Sequence, residues 1–312
     1  MQSYKSLLIR ISFVGLSFIG TVYSQDKTDP TPPTGVPVLW EACDISKRDL
    51  YQGPGGLSNA PVLRGSRFMG SNPGGNNLKY TIMDGAKRKW VVKIADESQP
   101  ELAATRLLWA IGYKTEIDYM VPRLDIPGVG NYKNARFELR PDDVKRGTRW
   151  SWADNPFNKA RELNGLRIMM ALINNWDLKD ENTAVLAKDG RLDYVVSDLG
   201  SSFGKLADKN MSRSGRSVNN AADYAKAKFI KGVNNGVIDF DYRGMNEDVV
   251  KGITVDDARW LSALLRQLSE KQIEDAFRAA NYQPEAIEIY AGAVRARIAA
   301  LDRATQEQTA QK

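Results

Sequence analysis

The chain has no histidine in 312 residues. This absence excludes Ser-His-Asp hydrolysis, histidine-ligated zinc and imidazole acid–base work. Any general base must be a carboxylate, a Lys or a Tyr. Cysteine is nearly absent. Cys43 stands alone and cannot close an internal disulfide. With no histidine to activate it, Cys43 reads as a small hydrophobe rather than a nucleophile. No strong excess of one charge exists, with Lys+Arg 44 against Asp+Glu 38, and no basic stripe is interleaved with aromatics. That argues against a nucleic-acid partner. At 42% hydrophobic and 26% charged, the composition suits a globular protein of one large or two small domains.

The apolar run Ile11–Val22 is too short and glycine-bearing for a membrane span. Lys5 and Arg10 precede or border it, no acid occurs before Asp26, and Val22 and Ser24 are small. This pattern predicts an export signal over 1–24, cleaved after Ser24, and a periplasmic or secreted protein without a stable span. The alternative is an N-terminal membrane anchor. Cleavage removes Lys5 and Arg10 and leaves 42 basic residues against 38 acidic. Residues 25–39 carry four prolines and read as a linker without a fold of its own; Tyr51–Pro61 is Gly/Pro-rich and reads as loop.

What is present centres on Asn175-Trp176-Asp177-Leu178-Lys179-Asp180-Glu181-Asn182. It follows an apolar helical stripe, Leu163, Leu166, Met169, Met170 and Ile173, within a helix expected over 158–174. It precedes a strand at 183–187, a turn at 188–191 and a strand at 192–197 that ends in Asp198-Leu199-Gly200. An acid, an amide five residues on, and a second acid after a hairpin is a layout for phosphoryl transfer. Asp177 is placed to accept a proton from a hydroxyl; Asn182 and Asp198 present oxygens to Mg²⁺. Upstream, Asn77–Met83 and Lys89–Ile94 read as two strands around an Asp84-Gly85 turn. Before them, Gly70-Ser71-Asn72-Pro73-Gly74-Gly75-Asn76 is small enough for backbone N–H groups to approach a phosphate. Pro100–Tyr113 is expected as a helix, and 119–124 and 135–140 as further strands.

The stretch at 175–182 resembles the catalytic loop of the protein-kinase-like superfamily, and Asp198-Leu199-Gly200 resembles its metal-binding Asp-Phe-Gly. The surroundings look closer to the bacterial HipA-type and phosphoinositide-kinase-like branch. The resemblance covers residues 62–300. It implies an α+β, two-lobed fold with a small antiparallel β-rich lobe at 62–140, a helical lobe at 141–305, and a tail at 306–312. It implies ATP and Mg²⁺ (or Mn²⁺) as cofactors and an unidentified hydroxyl-bearing acceptor, protein, small molecule or lipid. Carried over by position, Asp177 is the base, Lys179 meets the γ-phosphate, and Asn182 and Asp198 bind metal. Lys93, at the end of Trp90-Val91-Val92, contacts the α/β-phosphates. Glu101 orients Lys93, with Glu97 as its rival. Gly70, Ser71, Asn72, Gly74 and Gly75 belong to a phosphate loop that departs from the usual glycine order. Phe137, Glu138 and Leu139 are adenine-hinge candidates. Asn175 replaces the family's histidine. Residues 204–224 occupy the place of an activation segment. Two alternatives remain: an exported pseudokinase-like module that binds a nucleotide or partner, and an adenylyltransferase on the same fold. The expected N-terminus is testable. Mass spectrometry of protein from its native host should find a chain that begins near Gln25, and an intact Met1 in a cytoplasmic fraction would exclude the export signal.

Overall fold

The computed structural model describes residues 34–72, 77–206 and 215–306. Its first element is a short strand, β1 (Val36–Val38). A small lobe follows, built from β2 (Arg67–Asn72), β3 (Leu78–Met83), β4 (Lys89–Ile94), α1 (Ser98–Ala110), β5 (Asp118–Ile126) and β6 (Gly130–Leu139). The strands make one antiparallel sheet in the order β2-β3-β4-β6-β5. Alternation sets its faces. Tyr80, Ile82, Trp90, Val92 and Phe137 point to one side and form the lobe's apolar core. Lys79, Lys93 and Arg136 lie on the other side, in register across three neighbouring strands. The β3–β4 turn is set by Asp84. Its Oδ1 accepts the N–H groups of Ala86 and Arg88 at 2.9 and 2.8 Å, the local bonding expected of Asp in a turn.

The second lobe contains β7 (Lys145–Arg146), α2 (Arg161–Leu172), β8 (Thr183–Lys188) and β9 (Arg191–Val196). It continues with α3 (Ala221–Lys226), β10 (Ile230–Asn234), β11 (Val237–Phe240), α4 (Val255–Leu265), α5 (Glu270–Ala279) and α6 (Pro284–Gln306). The fold is α+β: an antiparallel β-rich N-terminal part and a largely helical C-terminal part. Helix α2 runs through the larger core, with Leu163, Leu166, Ile168, Met169 and Met170 buried. Its Gly165 is required by packing, since a Cβ there would lie 2.5 Å from both the Trp260 ring and the Tyr113 hydroxyl. Thr254 caps α4, and Ser269 with Gln272 forms a capping box on α5. Among the described residues no helix is long and apolar enough to cross a membrane.

The expected linker is shorter than 25–39. Strand β1 pairs in parallel with β9, Val36 opposite Arg191. Leu39, Ile45 and Leu50 then enter the core of the second lobe, and Gln272 Nε2 donates to the carbonyls of Ile45 and Arg48 at 2.7 and 2.9 Å. The reason is apolar burial, which outweighs the proline content. The Gly/Pro-rich stretch continues onto the small lobe. Tyr119 Oη donates to the Gly56 carbonyl at 2.6 Å. Gly53, at φ +72°, lies so close to Arg106 that a Cβ would fall 2.2 Å from its guanidinium carbon. Residues 36–60 are thus a strap joining both lobes. This assignment predicts that Leu50→Ala, at a fully buried position, costs about 2–5 kcal/mol in urea unfolding. Leu57→Ala, 74% exposed, should stay within about 0.5 kcal/mol.

Candidate active site

Lys93 is 2% exposed, and its Nζ lies 2.9 Å from Glu101 Oε2, 3.0 Å from Glu97 Oε2 and 3.4 Å from Asp198 Oδ1. Both glutamates therefore reach it, but differently. Glu101 is buried and also holds Arg136 Nη2 at 2.8 Å; Glu97 is partly exposed and accepts a bond from Asn77 Nδ2 at 2.6 Å. Desolvation works against the Lys93 charge, but Glu101 and Asp198 outweigh it and raise its pKa above the ordinary value. Burial likewise opposes ionisation of Asp198, but Lys93, the Gly200 N–H and Arg136 hold its pKa below the usual range. Gly200 sits where only glycine fits, since a Cβ would lie 2.6 Å from Glu97 Cβ.

The second half of the site is the loop after α2. Asn174 ends the helix in the left-handed region at φ 53° and donates from Nδ2 to Gly204 O at 2.8 Å. Arg297, buried, donates to Asn174 Oδ1 at 2.8 Å and to Leu172 O at 3.0 Å. Asn175 is wholly buried. Its Oδ1 accepts the Asp177 N–H at 3.1 Å, and its carbonyl accepts the Tyr242 hydroxyl at 2.6 Å. In this way Asn175 orders the loop without an imidazole. Asp177 is paired with Lys179, Nζ to Oδ1 2.8 Å. Asn182 Nδ2 donates to the Asp177 carbonyl at 2.7 Å and to its Oδ2 at 3.1 Å. The amide nitrogen is thereby committed to Asp177, and the amide oxygen is the atom left to offer a cation.

The hairpin of β8 and β9 brings the two candidate metal residues together. Ser197 and Asp198 donate their N–H groups to the Asn182 carbonyl at 2.8 and 3.3 Å. Among the described residues no cluster of three or more Asp, Glu or Cys could hold a metal alone. One carboxylate and one amide oxygen suit Mg²⁺ only if phosphate oxygens and waters complete its shell, which is how that ion is commonly bound. The donor set therefore fits a metal that arrives with a nucleotide.

The remaining expectations fare differently. Gly70, Ser71 and Asn72 are the end of the edge strand β2, with a bulge between Phe68 and Gly70. Gly74 and Gly75 lie outside the described residues. The three hinge candidates lie in the interior strand β6. Phe137 points into the small-lobe core, and its backbone lies in register between Val92 and Tyr119. Glu138 is consumed by Arg136, at 3.0 Å, and by Arg140. The Leu139 N–H is given to Ile117 O at 2.8 Å. All three are occupied as members of an interior strand.

Lys79 was not foreseen. It stands opposite Lys93 in the β3–β4 register, on the same face. Desolvation and the Lys93 charge lower its pKa, while Asp198 and Glu101 oppose them. The signal lay in the alternation: Tyr80 and Ile82 inward place Lys79 and Thr81 on the Lys93 side.

Complete burial pushes the Glu101 pKa up to about 7, against the pull of Arg136 and Lys93. The folded state then keeps a proton that the unfolded state sheds above its ordinary pKa of 4.5. This contribution to stability is full below pH 4.5 and is lost as pH rises through about 7. Urea unfolding at pH 5, 6 and 7 should therefore show a more negative slope of stability with pH in the wild type than in Glu101→Gln. Equal slopes would exclude the shift.

No family profile matches the chain, and no curated protein matches it. Among solved structures it is similar to a Helicobacter pylori proinflammatory kinase, CtkA, at 10% identity and a TM-score of 0.47, over 79% of this chain and 99% of that one. It is also similar to the Golgi casein kinase, at 11% identity and a TM-score of 0.44, over 80% of this chain and 74% of that one. The Golgi casein kinase with Mn/ADP bound aligns at 12% identity and a TM-score of 0.42, over the same shares. Likeness at this level identifies no function, and the assignments below rest on this chain's own residues.

Proposed function

We propose that the chain is a Mg-ATP-dependent phosphotransferase of the protein-kinase-like superfamily, nearest its HipA-type and phosphoinositide-kinase-like branch, exported by residues 1–24. The observation that carries this reading is the meeting of Lys93, Glu101 and Asp198 from three separate elements, β4, α1 and the end of β9. Glu101 and Glu97 already supply carboxylate partners to the buried ammonium. A third, Asp198, that also lies against the Asn182 backbone is explained by a site that handles phosphate and a divalent cation together.

In this reading Lys93, held by Glu101, meets the phosphates of ATP, and Lys79 stands beside it as a second cation. Asp198 and the Asn182 amide oxygen would hold the metal, which would neutralise charge on the phosphates. Asp177, oriented by Lys179 and Asn182, accepts the proton of the acceptor hydroxyl. Lys179 then turns from Asp177 to the transferred phosphate. Positioning and charge neutralisation supply most of the acceleration, so Asp177 needs no special basicity.

The decisive experiment is incubation of the purified protein with ATP labelled in turn at the γ- and α-phosphate. Transfer of the γ-label supports phosphotransfer; transfer of the α-label supports the adenylyl alternative; nucleotide binding with neither supports a pseudokinase. Asp177→Asn should lower kcat by roughly two to four orders of magnitude with little change in ATP affinity. Asp198→Ala should abolish Mg²⁺-dependent thermal stabilisation by ATP. Full turnover by Asp177→Asn would assign the base elsewhere.

A further inference from the structure

Several buried side-chain donors lack an acceptor among the described residues, and two of the side chains that carry them, Trp176 and Arg216, meet beside the loop at 175–182. Trp176, directly before Asp177, has a buried Nε1–H with no hydrogen-bond partner. Arg216 lies over its ring, the guanidinium carbon 4.8 Å from the ring centroid. Arg216 Nε and Nη1 are also buried and unpartnered. Two side chains in contact thus carry N–H donors that no acceptor among the described residues satisfies. Buried donors are nearly always paired in folded proteins, and a charged one left alone is costly. Such an arrangement asks for an acceptor from outside.

Arg216 also lines a cavity of about 650 Å³ bounded by β10, β11 and the segment from Tyr242 to Gly252. Its floor abuts the catalytic loop. The Met245 N–H donates to the Trp176 carbonyl at 2.7 Å, and a Cβ on Gly244 would lie 2.7 Å from that same oxygen. The other cations of the wall have partners. Lys231 pairs with Asp239 at 3.4 Å, Arg243 with Asp241 at 3.7 Å and Lys251 with Asp248 at 2.7 Å. Arg216 makes no ion pair among the described residues. The rim at Lys231, Asn234, Lys251 and Gly252 is exposed, so the cavity opens to solvent there. An open cavity with one cation unmatched among the described residues suits a chain laid across it rather than an enclosed small molecule.

We propose that Arg216, stacked on Trp176, binds an acidic side chain of a peptide acceptor and so brings a neighbouring hydroxyl residue to Asp177. The hydroxyl half of this statement rests on the phosphotransfer reading; the acidic half does not. A carboxylate supplies the acceptors that the guanidinium fork lacks, and the fork geometry favours Arg over Lys for this task.

The test is fluorescence anisotropy with a labelled Ser-Asp-Glu-rich peptide and its Ser-Asn-Gln counterpart, on the full chain. The wild type should bind the acidic peptide about tenfold or more tightly, and added salt should reduce the difference. Arg216→Gln should remove the preference and leave ATP binding unchanged; Arg216→Lys should restore it only in part. Trp176→Phe keeps a ring under the guanidinium but loses the indole donor, and should weaken the preference without abolishing it. Because Arg216 makes no hydrogen bond through Nε or Nη1, Arg216→Gln should keep its melting temperature; if it does not fold, Arg216→Lys carries the comparison. Equal binding of the two peptides, or an unchanged preference in Arg216→Gln, overturns the proposal. Displacement by a phosphorylated polyol with no peptide binding overturns the peptide assignment. Arg216-dependent binding of the acidic peptide without any phosphate transfer upholds the anion site and removes the phosphotransfer reading.

Discussion

The small lobe depends on a charged seam rather than an oily one. Arg136 joins Glu101 at 2.8 Å, Glu138 at 3.0 Å and Asp118 at 3.4 Å, and Asp118 in turn holds Arg106 at 2.9 Å. Lys93 closes the far end through Glu101. The sheet's apolar residues face the other way, so α1 packs against the sheet through these ions and the apolar residues around them. Buried ion pairs contribute little net stability against a hydrophobic alternative, but breaking one leaves an uncompensated charge. The seam therefore acts on position. Sliding α1 along the sheet would strand Glu101, Arg106 or Asp118, and each such register is penalised. What this fixes is where Glu101 stands relative to Lys93.

The loop at 175–182 is fixed by a different device, carbonyl capture at the end of α2. Arg297 satisfies carbonyls that the helix leaves open, Asn174 takes the left-handed turn, and Asn175 bonds within the loop itself. The hairpin of β10 and β11 leads into Tyr242 and Met245, which hold the loop from outside. Asp177 thus hangs from packed core on one side and from a surface hairpin on the other, which suits a group that must be held yet reached.

The periodic parts of the chain were legible and the compensated parts were not. Alternation at 78–83 and 89–94 and the apolar stripe before Asn174 locate β3, β4 and α2 to within a few residues. Motif spacing places Asn182 and Asp198 at neighbouring ends of one hairpin, with Asp177 on the loop before it. The strap at 36–60 escaped because prolines and glycines speak of loops, whereas Leu39, Ile45 and Leu50 are buried by partners far along the chain. Position in a strand does not say which neighbours a residue already uses. Glu138 looked available in sequence and is taken by Arg136 and Arg140, residues two places to either side. That Arg216 makes no ion pair among the described residues is a property of three dimensions.

The two halves of the site are also joined away from the chemistry. Gln99 Nε2, in the first turn of α1, donates to the carbonyls of Ala280 and Asn281 at 3.0 and 3.1 Å. Asn281 Nδ2 reaches Asn134 Oδ1 in β6 at 2.7 Å, and Asn219 Nδ2 reaches the Asp96 carbonyl at 3.0 Å. These bonds cross between the lobes and flank the helix that carries Glu101. A lobe free to swing would lose the Lys93–Asp198 contact, which spans β4 and the end of β9. The cross-lobe bonds and the strap oppose that swing, so the geometry among Lys93, Glu101 and Asp198 is set during folding rather than on arrival of a ligand. A ligand that then enters meets charges already oriented, and less of its binding energy is spent on ordering them.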